Sequence, residues 1–161
     1  MKKIIFIVLS LILLCGCGDK TVTPVTRQIS FTANITYYNE QFVCETNVDK
    51  DGVTQMTVVS PETLKGLSFT VNESGITAEF LGLKYTPKTE NMPYSIVTYT
   101  VYELLNAAHN RKLELNEQNC ILSGKLGERP FTLTVSPAGM LLKAQIPDDS
   151  FTVEFFDMTV H

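Results

Sequence analysis

Cysteine and histidine are the residues of this chain with the most informative chemistry, and both are few. The cysteines are Cys15, Cys17, Cys44 and Cys120, and the histidines are His109 and His161. Histidine is the usual acid or base near neutral pH. Neither histidine, however, belongs to an HExxH or another spaced metal motif, and the sequence contains no GxSxG elbow or phosphate-binding glycine loop. The sequence therefore predicts a protein that is not an enzyme and that binds no metal or cofactor.

Two of the cysteines lie one residue apart at the end of an apolar run. Lys2 and Lys3 precede the segment IIFIVLSLILL, which is shorter than the roughly 20 apolar residues that span a bilayer and is typical of a secretion signal. Leu14-Cys15-Gly16-Cys17 then resembles the bacterial lipobox. By that resemblance residues 1–16 are a lipoprotein signal peptide and Cys17 becomes the diacylglycerol-modified N-terminus. The alternatives are an ordinary signal that is cleaved nearby, or a stop-transfer anchor.

This resemblance implies where the mature chain lies. A diacylglyceryl group carries two acyl chains, the number at which anchoring becomes stable. We therefore expect the protein at the cell membrane, lipid-anchored on the extracytoplasmic face, with the membrane as its partner through the N-terminal lipid. Loss of Lys2 and Lys3 moves the formal charge from −4 to −6. This balance argues against nucleic acid as a partner and against a second, electrostatic attachment to anionic lipid.

The mature chain divides into a tether and one domain. Residues 17–27, the lipidated N-terminus and the polar segment GDKTVTPVTR, show no apolar periodicity and are predicted to be a tether. Residues 28–161 are predicted to form a single domain. Along most of it the apolar residues alternate with polar ones, as with Ile29, Phe31 and Ile35 in QISFTANITYYNE. Alternation of this kind predicts half-buried antiparallel strands, and we count nine or ten.

One segment has a helical period instead. In YSIVTYTVYELLNAAHN, apolar residues form a single stripe: Val97, Val101, Leu104, Leu105 and Ala108. Its first half is rich in Val, Thr and Tyr, which prefer strands, so the sequence does not fix the residue at which the helix begins. Ser60-Pro61-Glu62 predicts a second, short helical turn that Gly66 ends. The predicted fold class is α+β, mainly β, with one principal helix.

The order of these elements is similar to that of a known superfamily. The pattern in residues 52–69, followed by Gly82-Leu83-Lys84-Tyr85 and MPYSIVTYTVYELLNAA, resembles the lipoprotein-carrier superfamily of LolA, LolB and LppX. Its members include lipoproteins of spore-forming Gram-positive bacteria. The resemblance covers about residues 28–158 and includes no catalytic signature. It implies a curved antiparallel sheet that forms an unclosed half-barrel around the helix, with an apolar hollow that holds an acyl chain in some members.

Six inward-facing residues are candidates for the lining of such a hollow: Phe31, Ile35, Phe69, Phe80, Val101 and Leu105. Periodicity marks them as buried but does not distinguish a cavity wall from a closed core. With a cavity of several hundred Å³, the protein would bind a lipid or another apolar ligand. With a filled core, it would be an envelope or spore-germination-related interaction lipoprotein, contacting an envelope protein or forming a homodimer through a sheet edge or the loop 87–93. A third, less favoured hypothesis is an inhibitor of a wall-lytic enzyme.

Three further residues carry structural expectations. Cys44 and Cys120 fall in predicted strands, and outside the cytoplasm such cysteines can pair. A disulfide across that length of chain would contribute about 4 kcal/mol by the chain-entropy estimate; the alternative is two buried, reduced thiols. His109 falls at the predicted end of the helix, where a cation would interact favourably with the helix dipole.

Overall fold

The computed structural model describes residues 21–86, 97–109, 113–114 and 120–161. The elements are β1 (Thr21–Val22), β2 (Ile29–Tyr37), β3 (Glu40–Val48), β4 (Thr54–Ser60), β5 (Ser68–Asn72), β6 (Gly75–Phe80), β7 (Leu83–Tyr85), α1 (Val97–Ala108), β8 (Leu113–Glu114), β9 (Cys120–Leu126), β10 (Arg129–Val135), β11 (Leu141–Ile146) and β12 (Phe151–Val160), with 3₁₀ turns at Glu62–Leu64 and Pro147–Asp149. The signal peptide, Cys17 and the loop 87–93 of the sequence analysis lie outside the described residues.

Ten of these strands form one antiparallel sheet in the order β7-β6-β5-β4-β3-β2-β12-β11-β10-β9. The two halves of the chain meet at the middle of this order, where β2 pairs with β12 from Ile29↔Val160 to Tyr37↔Phe151. Each half is a meander of hairpins. Since β7 and β9 end the order on opposite sides, the sheet formed by the described strands is open.

The contacts of α1 require this sheet to be strongly curved. The helix contacts both β5 and β9, which are about seven strand spacings apart in the sheet order, or roughly 34 Å in a flat sheet. A helix with its side chains is only about 10 Å wide. The sheet therefore wraps around α1, and the predicted unclosed half-barrel around one principal helix is confirmed.

Alternation along the strands determines which side chains enter the interior. On β2, the residues Ile29, Phe31, Ala33 and Ile35 are buried, and the intervening positions are more exposed. The predicted helical stripe is buried as well, from Val101 to Ala108, with Val97 packed at its edge. One cluster of buried apolar residues joins the inner face of the sheet to this stripe.

The half-barrel has two distinguishable ends. The turns 38–39, 61–67 and 81–82 lie at what we call the upper end, and the turns 49–53 and 136–140 lie at the lower end, as the strand pairings require. Helix α1 begins near the upper end, where Val97 lies close to Leu64. It ends near the lower end, where His109 contacts Thr26.

Residues 21–26, the second half of the predicted tether, are docked against the domain instead. β1 pairs with β8, the amide of Val25 donates to the carbonyl of Gly139 at 2.8 Å, and Thr26 is only 4% exposed. The side chains of Val22 and Val25 pack against the core. The sequence pattern missed this because a two-residue strand has no periodicity and its partner, β8, is distant along the chain.

Candidate functional site

An apolar cavity of about 190 Å³ lies between the sheet and the first turn of α1. Its wall is formed by Phe42, Cys44, Met56, Val58, Leu64, Leu67, Phe69, Val97 and Thr98. Most of these residues come from the inner face of β3, β4 and β5 or from the loop 61–67, so the cavity belongs to the upper part of the half-barrel.

The loop 61–67 brings two leucines to the cavity because it folds back along β4. The amide of Gly66 donates to the carbonyl of Val58, and the amide of Val58 donates to the carbonyl of Leu67, each at 2.9 Å. Gly66 has φ +84°, a conformation that glycine adopts without a Cβ clash. The predicted helical turn that ends at Gly66 is thus confirmed as a 3₁₀ turn, and it places Leu64 and Leu67 in the cavity wall.

The hydroxyl and sulfur atoms in this wall are uncharged and only weakly polar. The hydroxyl of Thr98 donates to the sulfur of Met56 at 3.5 Å, and burial raises the pKa of the Cys44 thiol to about 11. Cys44 is therefore a thiol rather than a nucleophilic thiolate at neutral pH. The chemistry of the site favours burial of an apolar group and not covalent reaction with it.

The volume limits what the cavity can hold. Pockets for drug-sized ligands measure about 300–1,000 Å³, and an engineered apolar cavity of about 150 Å³ holds one benzene molecule. At about 190 Å³ this cavity is smaller than the several hundred Å³ expected from the sequence. It matches a short apolar group, such as one segment of an acyl chain, and not a whole lipid.

The structure places the six predicted lining residues in three different environments. Phe69 lines the cavity, whereas Phe31, Ile35, Val101 and Leu105 are buried in the closed core. Phe80 is half-buried. Periodicity identified inward positions correctly but did not identify the cavity, because the cavity lies where the loop 61–67 meets the start of α1. Leu64 and Leu67 could have been found from the predicted turn, since Leu64 lies within it and Leu67 directly follows Gly66.

Cys44 and Cys120 are both buried and both free, so the expected disulfide is absent from the structure. Their strands, β3 and β9, are not neighbours, since β2, β12, β11 and β10 lie between them in the sheet. The outcome matches the alternative of two buried thiols. One further polar group in the core is notable: the hydroxyl of Thr46 is buried and has no hydrogen-bond partner among the residues that the structure describes.

Two larger depressions lie on the outer face of the sheet and differ in character from the cavity. The first, about 400 Å³, includes Ser30, Glu45 and Asn47 in its lining, and the second, about 250 Å³, includes Asn34 and Gln41. Their linings mix polar with apolar atoms, as on a solvated sheet face, whereas the lining of the cavity is almost entirely apolar. Although they are larger, they are poorer candidates for an apolar ligand than the cavity beneath Leu64.

The lower end of the half-barrel contains a contact between α1 and the N-terminal segment. Thr26 Oγ1 lies 3.1 Å from His109 Nδ1. Burial, and secondarily the positive charge of Arg27, lower the pKa of His109. The expected helix-end cation is therefore not favoured, because these two effects oppose the helix dipole and stabilise the neutral imidazole.

The described part of the chain contains neither a candidate metal site nor a candidate membrane-spanning helix. No group of three His, Cys, Asp or Glu side chains there is placed to hold a metal ion. Within the described ranges, no helix has the length and apolar character needed to cross a membrane.

Comparison with known proteins gives likenesses of structure and none of sequence. No protein-family model matches the sequence, and no curated protein matches it. Among solved structures, the chain is similar to a LolA superfamily protein from Nitrosomonas europaea, with 7% sequence identity and a TM-score of 0.43. The match covers 83% of this chain and 84% of the other.

Proposed function

We propose that this protein is a non-catalytic lipoprotein, anchored through Cys17 at the extracytoplasmic face of the cell membrane, that binds a lipid or another apolar ligand in the half-barrel. The observation that carries the proposal is the apolar cavity between β3, β4, β5 and α1. The membrane anchor follows from the lipobox-like segment Leu14 to Cys17.

The size of the cavity sets the strength of binding that it can supply. Burial of one methylene group contributes about 0.8 kcal/mol, so a segment of about six methylene groups would gain about 5 kcal/mol. This alone corresponds to an affinity of about 0.2 mM. A ligand held by this cavity therefore makes further contacts outside it, and we expect the cavity to select an acyl end rather than to enclose a molecule.

The binding proposal is tested by native mass spectrometry of residues 18–161 that are purified from a lipid-containing host. We expect an adduct that organic extraction identifies as a lipid or another apolar molecule. In a Val58→Phe variant the added ring should occupy the cavity, since Val58 is buried and forms part of its wall. The matched control is Val59→Phe, which adds the same volume on the opposite, partly exposed face of β4.

Loss of the adduct in Val58→Phe, with retention in Val59→Phe, would support binding in this cavity. An adduct of equal occupancy in both variants would place the ligand elsewhere. A bare mass for the wild-type chain, unchanged after incubation with phospholipid and fatty acid, would refute the proposal. Anchoring is tested separately: the full chain should float with membranes, and Cys17→Ser should abolish this flotation.

The filled core supports a second candidate function, an envelope or spore-germination-related lipoprotein that binds a protein partner or a second copy of itself. Phe31, Ile35, Val101 and Leu105 close most of the interior. At the same time Leu83 and Tyr85 on the edge strand β7 are strongly exposed, and an exposed apolar edge is a site for pairing with another chain. Analytical ultracentrifugation of residues 18–161 tests the homodimer: a concentration-dependent dimer that Leu83→Lys abolishes supports it, and a monomer at all concentrations refutes it.

A further inference from the structure

We propose that the docked N-terminal segment holds the lower end of the half-barrel against the anchoring membrane, so that the cavity faces away from that membrane and exchanges its ligand on the far side. This inference rests on the proposed lipid anchor at Cys17. It adds the direction from which the ligand reaches the cavity.

The first step is the place at which the N-terminal segment joins the domain. The segment from Thr21 to Thr26 contacts the half-barrel at the lower end, through the bond from Val25 to Gly139 in the turn 136–140 and the contact between Thr26 and His109. Gly139 is in close contact with this segment, because a Cβ atom at its position would lie 2.6 Å from the carbonyl oxygen of Thr23.

The second step is the length of chain that remains between the anchor and this docked segment. Four peptide units connect Cys17 to Thr21, and fully extended they reach at most about 14 Å. Without docking, the chain from Cys17 to Gln28 would reach about 36 Å or more, enough for the domain to tumble freely. Docking therefore restricts the lower end to the neighbourhood of the bilayer.

The third step is the position of the cavity. Phe42, Leu64 and Leu67 in its wall belong to the upper turns 38–39 and 61–67 or lie close beside them. The nine residues of β2 join the lower end to the upper end, a distance of about 26 Å at 3.3 Å per residue. A cavity at the upper end is thus held away from the membrane surface when the lower end faces it.

Three exposed apolar side chains stand at this far end. Tyr38 in the turn 38–39 is 60% exposed, Leu81 in the turn 81–82 is 85% exposed, and Leu83 directly after that turn is 78% exposed. Isolated exposed leucines are common, but these lie on turns of the same end as the cavity. In the proposed orientation they face the extracytoplasmic space and not the anchoring bilayer, so a ligand enters from a protein or particle on that side.

The orientation is measured by energy transfer from a dye on the protein to acceptor-labelled lipid. The full chain is purified with its native acyl groups, which block Cys17, and is reconstituted into phosphatidylglycerol-containing vesicles. A dye is attached at Tyr38→Cys for the upper end or at Lys50→Cys for the lower end; both positions are exposed, while Cys44 and Cys120 are buried. Because the strands separate the two dyes by about 25 Å, we expect at least about twofold less transfer from the upper dye.

Two variants test whether docking causes this difference. Gly139→Ala places a Cβ against the docked segment, whereas the control Gly82→Ala has a similar φ, +79° against +82°, and no atom within 4 Å of the added Cβ. The difference between the dyes should disappear in Gly139→Ala and persist in Gly82→Ala. A second variant leaves the domain unchanged: insertion of twelve Gly-Ser residues between Asp19 and Lys20 should also abolish the difference.

Equal transfer from the two dyes in the wild-type chain, or greater transfer from the upper dye, would overturn the inference; the second result would show that Tyr38 and its neighbours lie on the bilayer. The results that would refute the proposed function differ from those that would refute this orientation. If the lipid anchor is wrong, the full chain does not float with membranes or floats equally well after Cys17→Ser, and if the cavity is wrong, the Val58→Phe and Val59→Phe variants carry the same adduct.

Discussion

Substitution of Gly139 by alanine measures how strongly the N-terminal segment is held on the domain. Gly139 has φ +82°, and an added Cβ would lie 2.6 Å from the backbone oxygen of Thr23. A non-glycine residue in the left-handed region costs about 1–2 kcal/mol. The clash also displaces the segment, which removes the bond from Val25 to Gly139, worth about 1 kcal/mol, and reduces the packing of Val22 and Val25 on the core. We expect a loss of about 3 kcal/mol in the free energy of unfolding.

The control Gly82→Ala separates the cost of backbone strain from the cost of displacing the N-terminal segment. Its φ of +79° imposes nearly the same backbone strain, and the added methyl group meets no neighbour. We expect it to lose about 1–2 kcal/mol. Urea unfolding of residues 18–161, followed by circular dichroism, gives both values, and hydrogen exchange reports the Val25 amide directly. Equal losses in the two variants, with the Val25 amide still protected in Gly139→Ala, would refute the assignment of residues 21–26 as a docked segment.

Three further predictions concern a buried hydroxyl, a strained turn and a histidine. Thr46→Val should raise the free energy of unfolding by about 1 kcal/mol, because the substitution removes a buried hydroxyl without a partner among the described residues and nearly preserves the side-chain shape. Urea unfolding measures this change, with Thr57→Val on the opposite face of the sheet as the control. A loss of stability in Thr46→Val would contradict the prediction. Leu81→Asn should raise the free energy of unfolding by about 1 kcal/mol, since Leu81 has φ +51° in a two-residue hairpin turn where asparagine is preferred. The thermal midpoint of unfolding should rise accordingly. A lower midpoint would show that the Leu81 side chain makes stabilising contacts. The lowered pKa of His109, caused by burial and then by Arg27, means that the unfolded chain binds more protons, so stability should fall as the pH drops below the ordinary histidine value of 6.5. Unfolding measured between about pH 8 and pH 5 should show this decline, and a His109→Gln variant with the same pH dependence would assign it to other groups.

The interior faces of the strands and the helix were predictable because they depend on local periodicity. Alternation along β2 placed Phe31 and Ile35 inside, and the stripe on α1 placed Val101 and Leu105 in the same core. Each of these positions is fixed by backbone geometry alone, since side chains of a strand alternate between faces and those of a helix repeat every 3.6 residues. The same pattern predicted antiparallel strands and one helix, and the family resemblance implied that the sheet is open and curves around that helix.

The candidate site was predictable only in part, because a cavity is a property of the space between elements. Of the six expected lining residues, Phe69 borders the cavity, whereas the four most buried ones fill the core. Leu64 and Leu67 reach the site only because the loop 61–67 is hydrogen-bonded back onto β4. No local period encodes how completely one helix fills the hollow of a curved sheet.

By itself, the sequence determined the local features of this protein: the lipobox-like segment ending at Cys17, the strand faces and the single amphipathic helix. Only the tertiary structure decided which distant segments meet. It pairs β2 with β12 and β1 with β8, separates Cys44 from Cys120 by four strands, and docks residues 21–26 at the end opposite the cavity. The physical reason is that periodicity specifies the face that a residue presents, whereas its partner across the sheet depends on the register and curvature of the whole fold.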